Sequence, residues 1–439
     1  MASINSSELH ARVASAYDSK DFSELLKLAG EIVRISPNDF LARIMVARAL
    51  AGLGHDSASA TVSRTLCSAL LKNGFDLTAI EVCNEALKSC PGEFELYHAL
   101  GEVYDSIGGK KPGIKARSLP PPPMVEVDAA EAGSLLRFTD EALLVERAQE
   151  LASQEIRAPS QARPERGIPF FSGLSRDAFV NLVSEIERRT YESGEVLFEA
   201  ASPGDSLFVL LSGSVEVSRH GKKLAELPAG SVFGEMALIT GQARTAKVTA
   251  IKPCSVFVVH VDDVQKVASE HSEITENIVQ FARRRMLMNV VSSSEFFRPL
   301  SEADRLEVLS AFSTRLIPEG QVLMDEGDHP TGLYVVANGT LDVSKRDKSE
   351  ERRFIAELHE GDVLGEIALV RDLEITARIS AKTKSVLLFL ERTDFAEVIA
   401  RHPVLKEYLD GISERRFEET DELMRLETQE LCESELVMV

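Results

Sequence analysis

Two stretches of the chain bring a glycine, a glutamate and a short apolar turn together in nearly the same order. The first, FGEMALITGQARTA at residues 233–246, also contains Arg244. The second, LGEIALVRDLEITA at residues 364–377, has Ile375 at the position of that arginine. A carboxylate accepts hydrogen bonds from ribose hydroxyls, and a guanidinium fork matches phosphate oxygens. The first stretch therefore has the residue types that bind a sugar phosphate.

The order of the first stretch indicates how such a site would be built. Gly234 ends a strand and, lacking a Cβ atom, lets the backbone approach a ligand closely. The backbone amides of the turn that follows would point at an anion, as they do at a helix N-terminus. Glu235 would then accept from a ribose hydroxyl, and Arg244 would supply a permanent positive charge.

Short runs of β-branched and apolar residues with glycine turns surround both stretches and predict β-strands. The glycines recur at a fixed distance: Gly194 and Gly320 are offset by 126 residues, and Gly234 and Gly365 by 131. The difference of five is a longer hairpin, SKRDKSEERRF, in the second copy. Two homologous β-rich domains in tandem are predicted from this internal repeat.

With the segments SGSVEVSR and LPAGSVFG before it, the first stretch resembles the phosphate-binding cassette of cyclic nucleotide-binding domains. These domains are shared by bacterial cAMP receptor proteins, regulatory subunits of cAMP-dependent protein kinase and cyclic nucleotide-gated channels. The resemblance covers residues 168–290 and again residues 296–415. It implies that Glu235 holds the ribose 2′-hydroxyl and Arg244 the cyclic phosphate. The predicted ligand-binding residues are Phe233, Gly234, Glu235, Met236, Ala237, Leu238, Arg244, Thr245 and Ala246.

The second copy departs from this pattern because Ile375 cannot neutralise a phosphate. Losing one charge-assisted hydrogen bond weakens binding about ten- to a hundredfold. Strand alternation would point Arg378 to the other face, whereas Arg371, in the turn, is a candidate for compensation. We predict a degenerate site that is either structural or open to an uncharged ligand such as a nucleoside. Its residues are Gly365, Glu366, Ile367, Ala368, Leu369, Ile375, Thr376 and Ala377.

The resemblance favours cAMP as the ligand, with cGMP as the second candidate. Thr245 follows the arginine directly, where cGMP-selective relatives in eukaryotes carry Thr to meet the guanine amino group. Bacterial cAMP receptors also carry Ser or Thr at this position. This residue therefore leaves the choice of nucleotide open.

Residues 7–107 show helical periodicity with breaks at 35–39, 52–56, 72–76 and 89–93, which is typical of short helix pairs. The segment YHALGEVY, beginning at Tyr97, resembles the start of a tetratricopeptide unit with Tyr in place of Trp. Such units stack into a groove that binds peptides or partner domains. A helical bundle without a ligand is the alternative.

The stretch GGKKPGIKARSLPPPPM predicts a linker, because successive prolines remove donors and favour an extended form. A helix with Thr139 as its N-cap follows at 138–156. The predicted fold class is multidomain, with all-α tetratricopeptide-like helix pairs followed by two α+β double-stranded β-rolls of jelly-roll type. The predicted domains are 1–108 tetratricopeptide-like, 109–167 linker and connecting helix, 168–290 first cyclic nucleotide-binding domain, 291–415 second domain with a degenerate cassette, and 416–439 acidic C-terminal helix or tail.

The bulk composition excludes several classes of binding partner and site. The 439 residues carry a formal net charge of −21, which argues against nucleic acid, since affinity for its backbone comes from clustered Lys and Arg. The five cysteines form neither a CxxC motif nor a His/Cys cluster, so no metal site or disulfide framework is predicted. No apolar run approaches the ~18 residues of a membrane span. We expect a cytoplasmic protein without a cofactor or membrane span.

No Walker A loop, kinase signature, HExxH helix or GxSxG elbow occurs in the chain, so we predict no catalytic residues and no enzymatic activity. The acidic tail is too short for a helix-turn-helix module. The leading hypothesis is a cyclic nucleotide sensor that signals to a protein partner through its helical N-terminal region. The alternatives are a regulatory subunit of a cyclic-nucleotide-dependent kinase, although only isolated Arg163 and Arg166 stand where its basic inhibitory motif belongs, and a nucleoside-binding or ligand-free scaffold.

Overall fold

The computed structural model describes residues 4–107, 119–120, 126–127, 134–156, 170–219, 221–235, 243–271, 273–346 and 351–436. The chain divides into two compact units, Met1–Phe281 and Ala282–Val439. The first unit contains a helical region and a β-roll, and the second contains another β-roll. Most of the predicted Pro-rich linker lies outside the described residues.

The helical region begins with helices that end at the predicted breaks. Asp21 and Asp39 cap two of these helices, because their carboxylates accept from the amides of Glu24 and Ala42. Consecutive helices pack against one another. The four predicted breaks are confirmed, while the assignment to tetratricopeptide units stays a prediction. The helices are α1 (Ser6–Asp18), α2 (Phe22–Ile35), α3 (Phe40–Gly52), α4 (Asp56–Lys72), α5 (Asp76–Ser89) and α6 (Phe94–Ile107).

Helix α7 (Glu141–Ala152) packs into the core of the helical region against α2. Gly30 allows the short 3-10 helix Leu135–Arg137, which precedes α7, to approach α2 closely, since a Cβ atom at Gly30 would lie 2.5 Å from Leu135 Cδ2. Asp140 is the N-cap and accepts from the Leu143 amide at 3.1 Å. The predicted cap at Thr139 is therefore wrong by one residue, because the neighbouring carboxylate takes that role. Two short strands, β1 (Ile4–Asn5) and β2 (Glu126–Val127), pair in antiparallel orientation.

The first β-roll follows helix α8 (Arg176–Glu185) and consists of two four-stranded antiparallel sheets, ordered β3-β10-β5-β8 and β4-β9-β6-β7. Helices α9 (Val261–Ala268) and α10 (Glu273–Ser293) come after it. The strands are β3 (Glu187–Tyr191), β4 (Val196–Phe198), β5 (Ser206–Ser212), β6 (Ser214–Arg219), β7 (Lys222–Pro228), β8 (Val232–Phe233), β9 (Lys247–Ala250) and β10 (Cys254–His260).

Strand β5 is buried on both faces. Phe208 and Leu210 point into the interior of the roll, while Leu207 and Val209 point to the other side, as the two-residue period of a strand requires. This second face joins one continuous hydrophobic core with α8 and with helices α3–α6. The helical region and the first roll therefore share a core.

The second β-roll repeats the first. Its sheets are ordered β11-β18-β13-β16 and β12-β17-β14-β15, and the predicted fold class is confirmed. Among the described residues, none of the helices combines the length and apolarity needed to cross a bilayer. The elements are α11 (Glu302–Ser310), β11 (Ser313–Ile317), β12 (Val322–Met324), β13 (Gly332–Asn338), β14 (Leu341–Arg346), β15 (Arg352–Leu358), β16 (Val363–Leu364), α12 (Glu366–Arg371), β17 (Arg378–Ala381), β18 (Ser385–Glu391), α13 (Arg392–Arg401) and α14 (Pro403–Leu436).

Candidate functional site

The guanidinium of Arg244 is buried in the first roll, with only 6% of the residue exposed. Its Nη1 donates to the Gly234 carbonyl at 2.7 Å, and its Nη2 donates to Ser206 Oγ at 3.0 Å. The Cζ atom lies 4.4 Å from the ring centroid of Phe198 and 5.4 Å from that of Phe208. Two hydrogen bonds and two aromatic rings thus hold the cation in a fixed position.

The remaining donor capacity of Arg244 makes this position a candidate anion site. Its Nε is buried and finds no acceptor among the described residues. Burial lowers the pKa of the guanidinium, against the opposing effect of the Asp205 and Glu235 carboxylates. A buried cation with a spare N–H is costly unless it meets an acceptor or negative charge. A phosphate would supply both.

Gly234 and Glu235 lie beside this cation. Gly234 has φ +81°, a left-handed conformation that favours glycine, and a Cβ atom there would lie 2.6 Å from Arg244 Nη1. Glu235 is 3% exposed. The structure therefore brings together the glycine, carboxylate and guanidinium that the sequence singled out.

The other predicted residues of the first site divide into three groups. Phe233 stacks on Phe208 with ring centroids 5.4 Å apart and is part of the roll interior. Thr245 is exposed, and Ala246, which immediately precedes β9, is 9% exposed. The predicted residues Met236, Ala237 and Leu238 lie outside the described residues.

The second roll contains a cavity of about 290 Å³ at the position of its own cassette. Glu366 is 3% exposed by side chain and lines this cavity with Ile375. Leu369 donates its amide to the Gly365 carbonyl at 3.2 Å within the turn. The predicted residues that line the cavity are Gly365, Glu366, Ile367, Ala368, Ile375, Thr376 and Ala377.

In the second roll, the residues that surround the guanidinium are replaced as well as the arginine itself. The 126-residue offset places Gly332 at the position of Ser206 and Met324 at that of Phe198. Gly332 offers no hydroxyl, and a Cβ atom there would lie 2.1 Å from the Leu390 carbonyl oxygen. Ile375 is 7% exposed. This cavity therefore has an apolar wall where the first roll has a cation.

Sequence similarity places both sites in one known domain family. The family model described as cyclic nucleotide-binding domain matches residues 188–271 and 314–402. Both matched segments include the cassette residues described above. The chain carries two cyclic nucleotide-binding domains in tandem.

Relatives of the two cyclic nucleotide-binding domains include kinase regulators. The chain is 27% identical over 235 residues to a cAMP-dependent protein kinase regulatory subunit of Yarrowia lipolytica, covering 54% of this chain and 59% of that protein. It is 28% identical over 244 residues to the cGMP-dependent protein kinase egl-4 of Caenorhabditis briggsae, covering 55% of this chain and 32% of that protein. A solved regulatory domain of Toxoplasma gondii PKA with cAMP is 20% identical, covers 56% of this chain and 92% of that one, and has a TM-score of 0.28.

Arg416 contacts the cassette of the second nucleotide-binding domain from outside it, and sequence reasoning missed this residue. It comes from helix α14, and its Nη1 donates to Glu366 Oε1 at 2.8 Å and to the Val363 carbonyl at 2.5 Å. Arg416 also lines the cavity. No local motif signals it, because 50 residues separate it from Glu366. The C-terminal helix thus neutralises the buried carboxylate of the second cassette.

The two arginines considered in the sequence lie elsewhere in the second domain. Arg378 pairs with Asp325, together with Arg352, on the face away from the cavity, so the prediction from strand alternation is confirmed. The Cζ atom of Arg371 lies 4.7 Å from the ring centroid of Phe417. Arg371 is not among the residues that line the cavity, so the structure does not bear out a compensating role for it, and Arg416 pairs with Glu366 instead.

One cluster of metal-ligating side chains lies among the described residues. Asp304, Glu307 and His402 bring ligand atoms within 4.8 Å of one another. Asp304 accepts from Ser301 Oγ at 2.6 Å, and Glu307 accepts from Arg401 at 3.2 Å. Both carboxylates already have protein partners, so the cluster supports no metal role.

Proposed function

We propose that this chain is a non-enzymatic cyclic nucleotide sensor that binds cAMP in its first nucleotide-binding domain, with cGMP as the second candidate. The observation that carries the proposal is the buried Arg244, whose Nε finds no acceptor among the described residues. In the bound state Glu235 would accept from the ribose 2′-hydroxyl, and Arg244 would donate to the cyclic phosphate. Thr245 is exposed and directly follows Arg244 in the sequence, so it is the candidate contact to the base.

The helical region is proposed to pass the ligand-bound state on to a protein partner, because it contacts the first nucleotide-binding domain directly and not through a linker alone. Asn84 on α5 donates to the carbonyls of Val183 and Ile186 at 2.6 and 3.1 Å. Arg188 on β3 pairs with Glu81 of α5 at 2.7 Å. These contacts add to the shared hydrophobic core. A shift of β3 or α8 on ligand binding would therefore move α5.

A groove of about 660 Å³ lies where the helical region meets β3 and is the proposed docking place for the protein partner. Its lining includes Arg48 and Glu85 from the helices and Arg188 from the first nucleotide-binding domain. Arg48 Nε donates to Glu85 at 2.9 Å, so the groove and the domain share one ion-pair cluster. For full switching from 1:99 to 99:1, the ligand must prefer one state by about 5.5 kcal/mol.

Two measurements test the sensor. Calorimetric titration with cAMP and cGMP should give one binding event per chain and rank the two nucleotides. Affinity capture from the cell of origin, with and without the preferred nucleotide, should give a partner whose retention changes on ligand addition. The Asn84→Ala variant should bind nucleotide normally but lose that dependence, because it removes contacts between α5 and α8 and leaves the cassette intact. Absence of any heat with either nucleotide would refute the proposal.

A kinase regulatory subunit is the second candidate function, favoured by similarity to such a subunit and to a cyclic-nucleotide-dependent kinase. The two candidates differ in the partner. A kinase catalytic subunit that binds the chain without nucleotide, and is released and activated by cAMP, would identify a regulatory subunit. Capture of partners that lack kinase activity would favour the adaptor.

For the second nucleotide-binding domain we propose an uncharged ligand such as a nucleoside. Ile375 and Met324 form an apolar wall at the position where the first domain has its arginine, and Arg416, which also lines the cavity, pairs with Glu366. Glu366 retains the carboxylate that accepts from ribose. Thermal unfolding in an Arg244→Ala background isolates this cavity. Adenosine or guanosine should raise the unfolding midpoint of this variant, and cAMP should not. Equal shifts with cAMP would contradict the assignment.

A further inference from the structure

Two buried cysteines face each other in the core of the helical region. The Sγ atoms of Cys67 on α4 and Cys83 on α5 lie 2.8 Å apart, and both residues are 0% exposed. Cys67 Sγ also lies 3.5 Å from the carbonyl oxygen of Ala79, which is on α5. Both cysteines are free thiols. The packing of α4 against α5 therefore holds two thiols in contact.

We propose that Cys67 and Cys83 are an oxidation site, at which a hydroperoxide converts the two thiols into a disulfide that joins α4 to α5. With hydrogen peroxide, one sulfur attacks the O–O bond, becomes a sulfenic acid, and releases a first water. The second sulfur then displaces the hydroxyl from the sulfenic acid, forms the S–S bond, and releases a second water. The sulfurs lose two electrons and two protons, and the peroxide takes up both.

Burial decides when this site reacts. The thiolate is the nucleophile, and burial, together with the hydrogen bond to Cys83, raises the pKa of Cys67 well above its usual range. An oxidant reaches the pair only when the helices separate locally. We expect slow oxidation of the folded protein at neutral pH, and faster oxidation at higher pH or in mild denaturant. A pair that reacts this way reports on the opening of the helical region.

The bond would act on the part of the helical region that contacts the first nucleotide-binding domain. Helix α5 carries Glu81 and Asn84, both of which bond to that domain. The disulfide would close a loop between residues 16 apart in sequence. Closing such a loop in a unit of this size raises the midpoint of thermal unfolding by about 5 °C. Oxidation would thus stabilise the helical face on which the domain rests.

Peptide mapping of the full-length protein tests the site directly. The protein is treated with hydrogen peroxide, alkylated in denaturant and digested with trypsin without reduction. Cleavage after Arg64, Lys72 and Lys88 gives peptides 65–72 and 73–88, which contain one cysteine each. The expected product is a disulfide-linked pair of these two peptides, together with a midpoint rise of about 5 °C that a reductant reverses.

Matched variants separate this disulfide from other effects of peroxide. Cys83→Ala and Cys67→Ala each remove one thiol of the pair and should abolish the midpoint rise, whereas Cys254→Ala, at another buried cysteine, should keep it. Cys90 is only half-buried and serves as an internal standard for oxidation and alkylation. If Cys67 and Cys83 stay reduced in mild denaturant while Cys90 is oxidised, or if the linked peptides contain other cysteines, the proposal is wrong. The wild-type mapping decides even where a variant fails to fold.

Discussion

Replacing Arg244 with alanine is the most direct perturbation of the proposed nucleotide site. The guanidinium has five N–H groups, of which one donates to Gly234 and one to Ser206. The Nε N–H finds no acceptor among the described residues, and a phosphate would supply one. One lost charge-assisted hydrogen bond costs about 3 kcal/mol at the upper end of its range, which is about a 150-fold rise in Kd. We expect Arg244→Ala to weaken cAMP binding by about this factor.

Calorimetric titration of cAMP into the wild type and the variant measures this loss. Arg244→Lys should lie between them, because an ammonium keeps the charge but cannot use a planar fork. Arg378→Ala is the matched control, since that arginine also lies at the end of a cassette but pairs with Asp325 away from the cavity. Arg378→Ala should leave affinity unchanged.

The alanine variant also removes two internal hydrogen bonds, so its folding must be measured alongside its affinity. Thermal unfolding should show a first unit that still melts cooperatively, at a lower midpoint. Ser206→Ala removes only the partner of Nη2 and should lower affinity by less than tenfold. If folded Arg244→Ala binds cAMP within twofold of the wild type, the cation does not hold the phosphate and the proposed site is refuted.

Three further predictions concern the second unit. Ile375→Arg should raise the calorimetric stoichiometry from one nucleotide per chain to two, with the new site the weaker because Gly332 provides no hydroxyl; an unchanged stoichiometry at millimolar cAMP would show that the cavity rejects phosphate for another reason. Arg416→Ala leaves a buried carboxylate without its partner and should lower the free energy of unfolding by about 1–3 kcal/mol in chemical denaturation, whereas the exposed neighbour Arg415→Ala should have no measurable effect. The hydrogen bond from Arg378 holds the pKa of the Asp325 carboxyl well below its usual range. The stabilisation that the ionised carboxylate provides is therefore present above pH ~4 and is lost as the pH falls from there. Asp325→Asn should be less stable than the wild type at pH 7 and equal to it at low pH.

The cassette of the first domain was predictable because its residues are close in sequence. Gly234, Glu235 and Arg244 fall within a short stretch, and each has a residue type with a distinct physical role. Ser206 was not predicted, although it fixes one end of the guanidinium, because a single serine at the start of an apolar strand resembles many others. Residues such as this serine complete the site but belong to no recognisable motif.

The fold was predictable where periodicity and turns are local. The four breaks between the N-terminal helices and the repeat of the β-roll follow from glycine, proline and apolar spacing. The approach of Arg416 to Glu366 depends on the direction that helix α14 takes after the second roll, and sequence spacing does not encode this. The core shared by α5 and β5 likewise joins segments more than a hundred residues apart, with a Pro-rich stretch between them.

That common core has a practical consequence for anyone who wishes to study the nucleotide-binding part in isolation. Truncating the chain before the first roll would expose the outward face of β5, with Leu207 and Val209, to solvent. Such a fragment would tend to aggregate, and proteins captured with it would reflect nonspecific hydrophobic binding instead of physiological association. Partner screens should therefore keep the helices attached, even when the nucleotide alone is the subject of interest.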